Sequence, residues 1–178
     1  YSVEYPKADG TGLTWTAGRD TANSLTDKAA QIHSQGQPDY NHTWFPCQDF
    51  PNERLTTELV VTVEDPYIVT SNGHLVSSRF AGVRDGKKRT TWHWLQDKPH
   101  CTYLVCMNVG RFAVVGLPVT GDTPTRTDGQ RVECYLYAPL GTETKAQKAY
   151  AKTPAMVAHF GKLFGEPYAW DKYSQALV

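Results

Sequence analysis

Thr57–Glu64 reads "TELVVTVE". Leu59, Val61 and Val63 fall on one side of an extended chain and Glu58, Val60 and Thr62 on the other, because side chains alternate with a period of two in a strand. The β-branched residues fit the same reading. Working outward, Pro66 interrupts and "YIVTS" (67–71) resumes. Asn72-Gly73 then supplies residues tolerant of positive φ, which predicts a tight hairpin turn into "HLVSSRF" (74–80). Asp85-Gly86 marks a second turn, into "KKRTTWHWLQ" (87–96), where Trp92 and Trp94 share a face and His93 opposes them. "HCTYLVCMNVGRFAVVG" (100–116) follows, then a Gly/Pro/Thr loop at 116–129 and "RVECYLY" (131–137). Five or six strands in succession, punctuated by turns, predict an antiparallel all-β body.

The pattern changes after Pro139. "TETKAQKAYA" (142–151) consists of good helix formers, and Thr153-Pro154 offers an N-cap followed by a proline at the first helical position. Met156, Phe160 and Leu163, with Phe164 beside them, make one apolar face, and Gly165 suits a left-handed C-cap. That face needs something to lie against. The last residues, in "GEPYAWDKYSQALV" (165–178), read as the start of another strand, so the chain is expected to be part of a longer protein.

Eighteen Lys+Arg balance eighteen Asp+Glu over 178 residues, and "GKKR" (86–89) is the only run of like charge. No nucleic-acid partner is indicated. Apolar runs such as "YLVCMNV" (103–109) are far shorter than the roughly 18 residues of a membrane span, so no membrane span is expected in this fragment. "YSVEYPKADG" (1–10) has neither the basic nor the apolar region of a signal peptide. Cys47, Cys101, Cys106 and Cys134 contain no C-x-x-C, and they read as packed thiols.

The six histidines form no H-E-x-x-H, and phosphate-loop and G-x-S-x-G motifs are absent, so no complete catalytic constellation is found. Cys47 has His42 and Asp49 nearby in sequence. Residues on one short loop seldom give the geometry of an activated thiolate, and a packed thiol is the better reading. Trp15, Trp44, Trp92 and Trp94 could form a sugar-stacking surface or a set of core aromatics. Their exposure separates the two. Asn41-His42-Thr43 is an N-glycosylation sequon of the kind that also arises by chance.

"SQGQPDYNHTWFPCQDFPNER" (34–54), "VTVEDPYIVTSNGHLVSS" (61–78), "TTWHWLQDKPHCTYLVCMNVGRF" (90–112) and "TPAMVAHFGKLFGEPYAWDKYSQALV" (153–178) together resemble successive landmarks of the aminopeptidase N-type zinc metallopeptidases, the gluzincin family that includes leukotriene hydrolase. The resemblance implies a mainly β fold. An antiparallel, saddle-like β-sandwich, the C-terminal part of an N-terminal β domain at 1–140, would be followed at 141–178 by a short α-helical segment and the first residues of a thermolysin-like catalytic domain. It also implies a fragment of a zinc-dependent aminopeptidase that removes N-terminal residues from peptides. The zinc of the parent protein would be held downstream of Val178, with no cofactor and no activity in this fragment alone. The partners implied are the substrate's N-terminus and the chain's own catalytic domain.

Carried over from the family, Gln37 is the β-domain residue that contacts the substrate N-terminus, with Gln35 supporting it. Phe45, Pro46 and Cys47 become packing that aims the loop, and Asp49 and Arg54 pair or bond to backbone within it. One position departs: His42 stands where the family has an arginine, so that arginine's bonds are not carried over. The reading from another class is a non-catalytic β-sandwich binding or scaffold module.

Overall fold

A computed structural model describes residues 10–18, 30–118 and 124–178. Residues 119–123 of the expected 116–129 loop lie outside the described residues. Two compact units divide at Arg111/Phe112.

The first unit contains β1 (Gly12–Thr16), β2 (Gln31–Gln35), β3 (Arg54–Glu64), β4 (Ile68–Ser71), β5 (His74–Arg84), β6 (Lys87–Cys101) and β7 (Met107–Gly110). They form two antiparallel sheets, ordered β1-β2-β7-β4 and β3-β6-β5. The alternation in β3 does what its sequence predicts. Leu59, Val61 and Val63 pack on a core of Val69, Trp94 and Val109, while Val60 is exposed. Leu59 sits opposite Trp94 and Val61 opposite Trp92. Each large side chain buried here stabilises the fold by about 1.5–3 kcal/mol.

The other face of β3 and β6 is a polar ladder. Glu58 meets His93 at 2.6 Å, Thr62 meets Thr91 at 2.8 Å, and Lys87 donates to Glu64 at 2.8 Å. These exposed pairs set register more than stability.

Asp85-Gly86 forms the expected turn: both residues have positive φ (53° and 74°), and Arg84 and Lys87 face each other across it. Asn72-Gly73 differs from expectation. β4 pairs with β7 and β5 with β6, so this dipeptide carries the chain from one sheet to the other instead of closing a hairpin. Two contacts explain it. Gly73 (φ 70°) lies so close to Leu95 that a Cβ would collide with the Leu95 carbonyl oxygen. The Asn72 amide donates to the Leu104 carbonyl at 2.9 Å and accepts from the Cys106 N–H at 2.7 Å, which fixes the crossing.

The run 100–116 is likewise not one strand. β6 ends at Cys101, a 3-10 turn spans Thr102–Leu104, and β7 begins at Met107. All four cysteines are free thiols, Cys101 and Cys134 buried and Cys47 and Cys106 half-buried.

The second unit contains β8 (Phe112–Gly116), β9 (Glu133–Pro139), α1 (Glu143–Ala149), α2 (Thr153–Phe164) and β10 (Lys172–Ala176), in a sheet ordered β10-β9-β8. Leu117, Val132, Cys134, Leu136, Ala138 and Ala146 are its core. β8 and β9 are antiparallel, but β9 and β10 are parallel, because the two helices between them bring the chain back to start β10 at the same end. Thr153 is the first residue of α2 rather than its cap, a position Lys152 takes, and Gly165 (φ 72°) caps the other end as the sequence predicts. The fold is mainly β with antiparallel sheets and short helices near its end.

Candidate substrate-contact loop

β2 ends at Gln35, which faces Gly12 of β1. The next residues turn sharply. Gly36 is buried, Gln37 is exposed, and the Gln37–Pro38 peptide is cis. The Tyr40 N–H closes the turn on the Gly36 carbonyl at 2.8 Å, and a 3-10 turn follows at Asn41–Thr43. The structure therefore brings Gln35 and Gln37 to one exposed loop, one buried glycine apart.

Asn41 holds that loop to the rest of the unit. It has no solvent exposure. Its amide nitrogen donates to the Thr102 carbonyl at 2.6 Å and to the Val105 carbonyl at 3.0 Å, while its amide oxygen accepts from the Trp44 indole N–H at 2.7 Å. Both N–H groups and the oxygen are thus used, as a buried amide requires. The sequon reading of Asn41 falls with this finding, because a glycan would need the same nitrogen in solvent. Sequence reasoning missed the clamp; the signal it left was an Asn and a Trp three residues apart, spacing that stacks both on one side of a 3-10 turn.

His42 and Asp49 close the far end of the loop. The His42 backbone N–H donates to Asp49 Oδ2 at 2.9 Å, and His42 Nδ1 lies 3.2 Å from the same oxygen. Burial pushes the Asp49 carboxyl up, but the hydrogen bonds donated to it, led by the His42 N–H, outweigh burial and hold it below its usual range. Asp49 bonds to backbone within the loop, as expected, and its side-chain partner is His42 rather than Arg54.

Burial and the negative charge of Asp49 both raise the Cys47 thiol above its ordinary range. That is the reverse of what a nucleophile needs, and it fits the packing reading. Trp44 and Phe45 meet edge-on, with centroids 4.7 Å apart. Trp94 is buried, Trp44 and Trp92 are half-buried, and Trp15 is 59 % exposed. One open ring makes no stacking platform.

A cavity of about 460 Å³ lies beneath the loop, lined by Trp44, Phe45, Cys47, Arg54, Leu59 and Val105 among others. Neither Gln35 nor Gln37 borders it, so it is separate from the candidate contact surface. Among the described residues no three His, Cys, Asp or Glu side chains gather in a way that could hold a metal ion, and no helix is long and apolar enough to cross a membrane.

Comparison with known proteins adds the following. Residues 19–104 match the Peptidase M1 N-terminal domain. The chain is 26 % identical over 171 residues to aminopeptidase B of Rattus norvegicus, covering 96 % of this chain and 23 % of that protein. Over 115 residues it is 29 % identical to transcription initiation factor TFIID subunit 2 of Danio rerio, 65 % of this chain and 9 % of that protein. It thus spans less than a quarter of the length of either relative. Among solved structures, the M1 zinc metallopeptidase from Deinococcus radiodurans superposes with a TM-score of 0.65 at 24 % identity, over 85 % of this chain and 32 % of that one, a likeness of fold.

Proposed function

We propose, from the match of residues 19–104 to the Peptidase M1 N-terminal domain, that this chain belongs to that family, is part of a zinc-dependent aminopeptidase and supplies the β domain that caps its active site. In this reading the β domain runs over residues 1–140, and the catalytic domain begins within 141–178. Gln37 contacts the substrate's N-terminal amine and Gln35 supports it. The zinc, which activates a water in such enzymes, belongs to the catalytic domain. The same reading leaves this chain without activity on its own.

The observation that carries the reading is the pairing of exposure with rigidity at the loop. Gln35 and Gln37 face solvent, while Asn41, between Tyr40 and His42, is locked to the 102–105 segment. An amide oxygen accepts from an ammonium group, and an amide held in place aligns a free N-terminus instead of merely attracting it. The exposed Met156, Phe160, Leu163 and Phe164 face of α2 agrees, because a catalytic domain would cover it.

The test is made on the complete parent protein, with peptides bearing a free N-terminus. Gln37→Ala is expected to lower kcat/KM at least tenfold, the scale of one lost hydrogen bond to a charged group, and Gln35→Ala by less. Unchanged kcat/KM for Gln37→Ala would remove Gln37 from the substrate.

A second reading is favoured by the similarity to a protein named as a subunit of transcription initiation factor TFIID: a parent that keeps the architecture as a scaffold. A purified parent holding no zinc and releasing no amino acids would decide for it.

A further inference from the structure

Resting on the aminopeptidase reading above, we infer that Asn41 is a positioning residue, whose buried amide occupies the space beside Gly36 and so sets where Gln35 and Gln37 stand. Gly36 lies against that amide. A Cβ built on it would come 2.5 Å from Asn41 Nδ2 and 2.6 Å from both Cγ and Oδ1. The backbone between the two glutamines therefore has one place to go, set by a side chain that cannot move without breaking its own bonds to Thr102, Val105 and Trp44.

The neighbouring contacts act in the same direction. Tyr40 is bonded through its N–H to the Gly36 carbonyl at 2.8 Å, and its own carbonyl accepts from the Thr43 hydroxyl at 2.6 Å. Gly12, in register with Gln35, lies so near that a Cβ on it would overlap the Thr43 hydroxyl. Residues 35 to 43 form a closed frame with Asn41 at its centre. Packing on this scale transmits small displacements, and a shift of about 1 Å at a substrate contact can cost on the order of a hundredfold in rate. A role in positioning thus differs in kind from a role in stability, and the two are separable.

Two substitutions in the parent enzyme separate them. Gly36→Ala pushes on the amide, and Trp44→Phe removes the one bond to Asn41 Oδ1 while keeping a ring in place. Each is expected to lower kcat/KM about tenfold on free-N-terminus peptides, mainly through KM, at temperatures where circular dichroism shows the variant folded. In a Gln37→Ala background the same substitutions are expected to cost little more, because the contact they displace is already gone.

A purely structural role would lower the melting temperature, leave kcat/KM of the folded variants unchanged, and add its effect to that of Gln37→Ala. That result in Trp44→Phe would overturn the inference even if Gly36→Ala failed to fold. If Gln37→Ala alone had no effect, the substrate-contact reading itself would fail, and the positioning inference with it. If Gln37→Ala acts and the other two do not, positioning alone is wrong.

Discussion

Asn41 and Thr102, 61 residues apart in the chain, are joined by a 2.6 Å hydrogen bond from the Asn41 amide to the Thr102 carbonyl, and both residues are essentially without solvent contact. A local turn is thereby tied to the junction between β6 and β7, where the chain passes from one sheet to the other.

Asn41→Ala is expected to destabilise the first unit by about 2–4 kcal/mol, because it leaves the Thr102 and Val105 carbonyls and the Trp44 indole N–H without their partner in a dry site. Asn41→Asp should cost at least as much, since it turns an oxygen toward two carbonyl oxygens. Urea unfolding followed by tryptophan fluorescence measures both. Mass spectrometry of folded protein secreted from a glycosylating host should find no glycan at Asn41.

Glycine substitutions should separate a close approach from a simple turn. Gly73→Ala combines positive φ with a collision against the Leu95 carbonyl and is expected to cost more than about 3 kcal/mol. Gly86→Ala has open space at φ 74° and should cost about 1 kcal/mol. Equal losses in the two variants would contradict the crossing drawn for residues 72–73.

His100 is 2 % exposed. Burial lowers its pKa, against the opposing hydrogen bonds to the backbone of Lys98 and Leu55. The folded protein thus binds its proton less readily than the unfolded chain. Stability from this group is complete above the unfolded value of about 6.5 and declines as pH falls below it toward the folded value. Unfolding free energy measured between pH 7.5 and 5 should show this slope, and His100→Gln should flatten it, whatever that variant costs at neutral pH.

Phe160 and Phe164 stack with centroids 5.8 Å apart on the open face of α2. Replacing both with Lys in the isolated chain should change its stability by no more than about 0.5 kcal/mol and reduce any self-association seen by sedimentation. A large loss of stability would show that this face is already packed.

The sequence by itself determined whatever depends on neighbours within a few residues. The alternation of Leu59, Val61 and Val63, the Asp85-Gly86 turn, and the Gly165 cap of α2 are set by local backbone preference and by which face is apolar, and each is found in place. The order of motifs also pointed to the family. Only the tertiary structure decided where each strand finds its partner. Asn72-Gly73 satisfies the local rules of a hairpin, yet it crosses between sheets, because its bonds are to Leu104 and Cys106 and its close contact is with Leu95. The contact loop divides in the same way. Its polarity and its glutamines were legible in the sequence. The buried amide of Asn41 was not, because the worth of a polar side chain depends on carbonyls 61 and 64 residues away that reach it only after the sheets have formed.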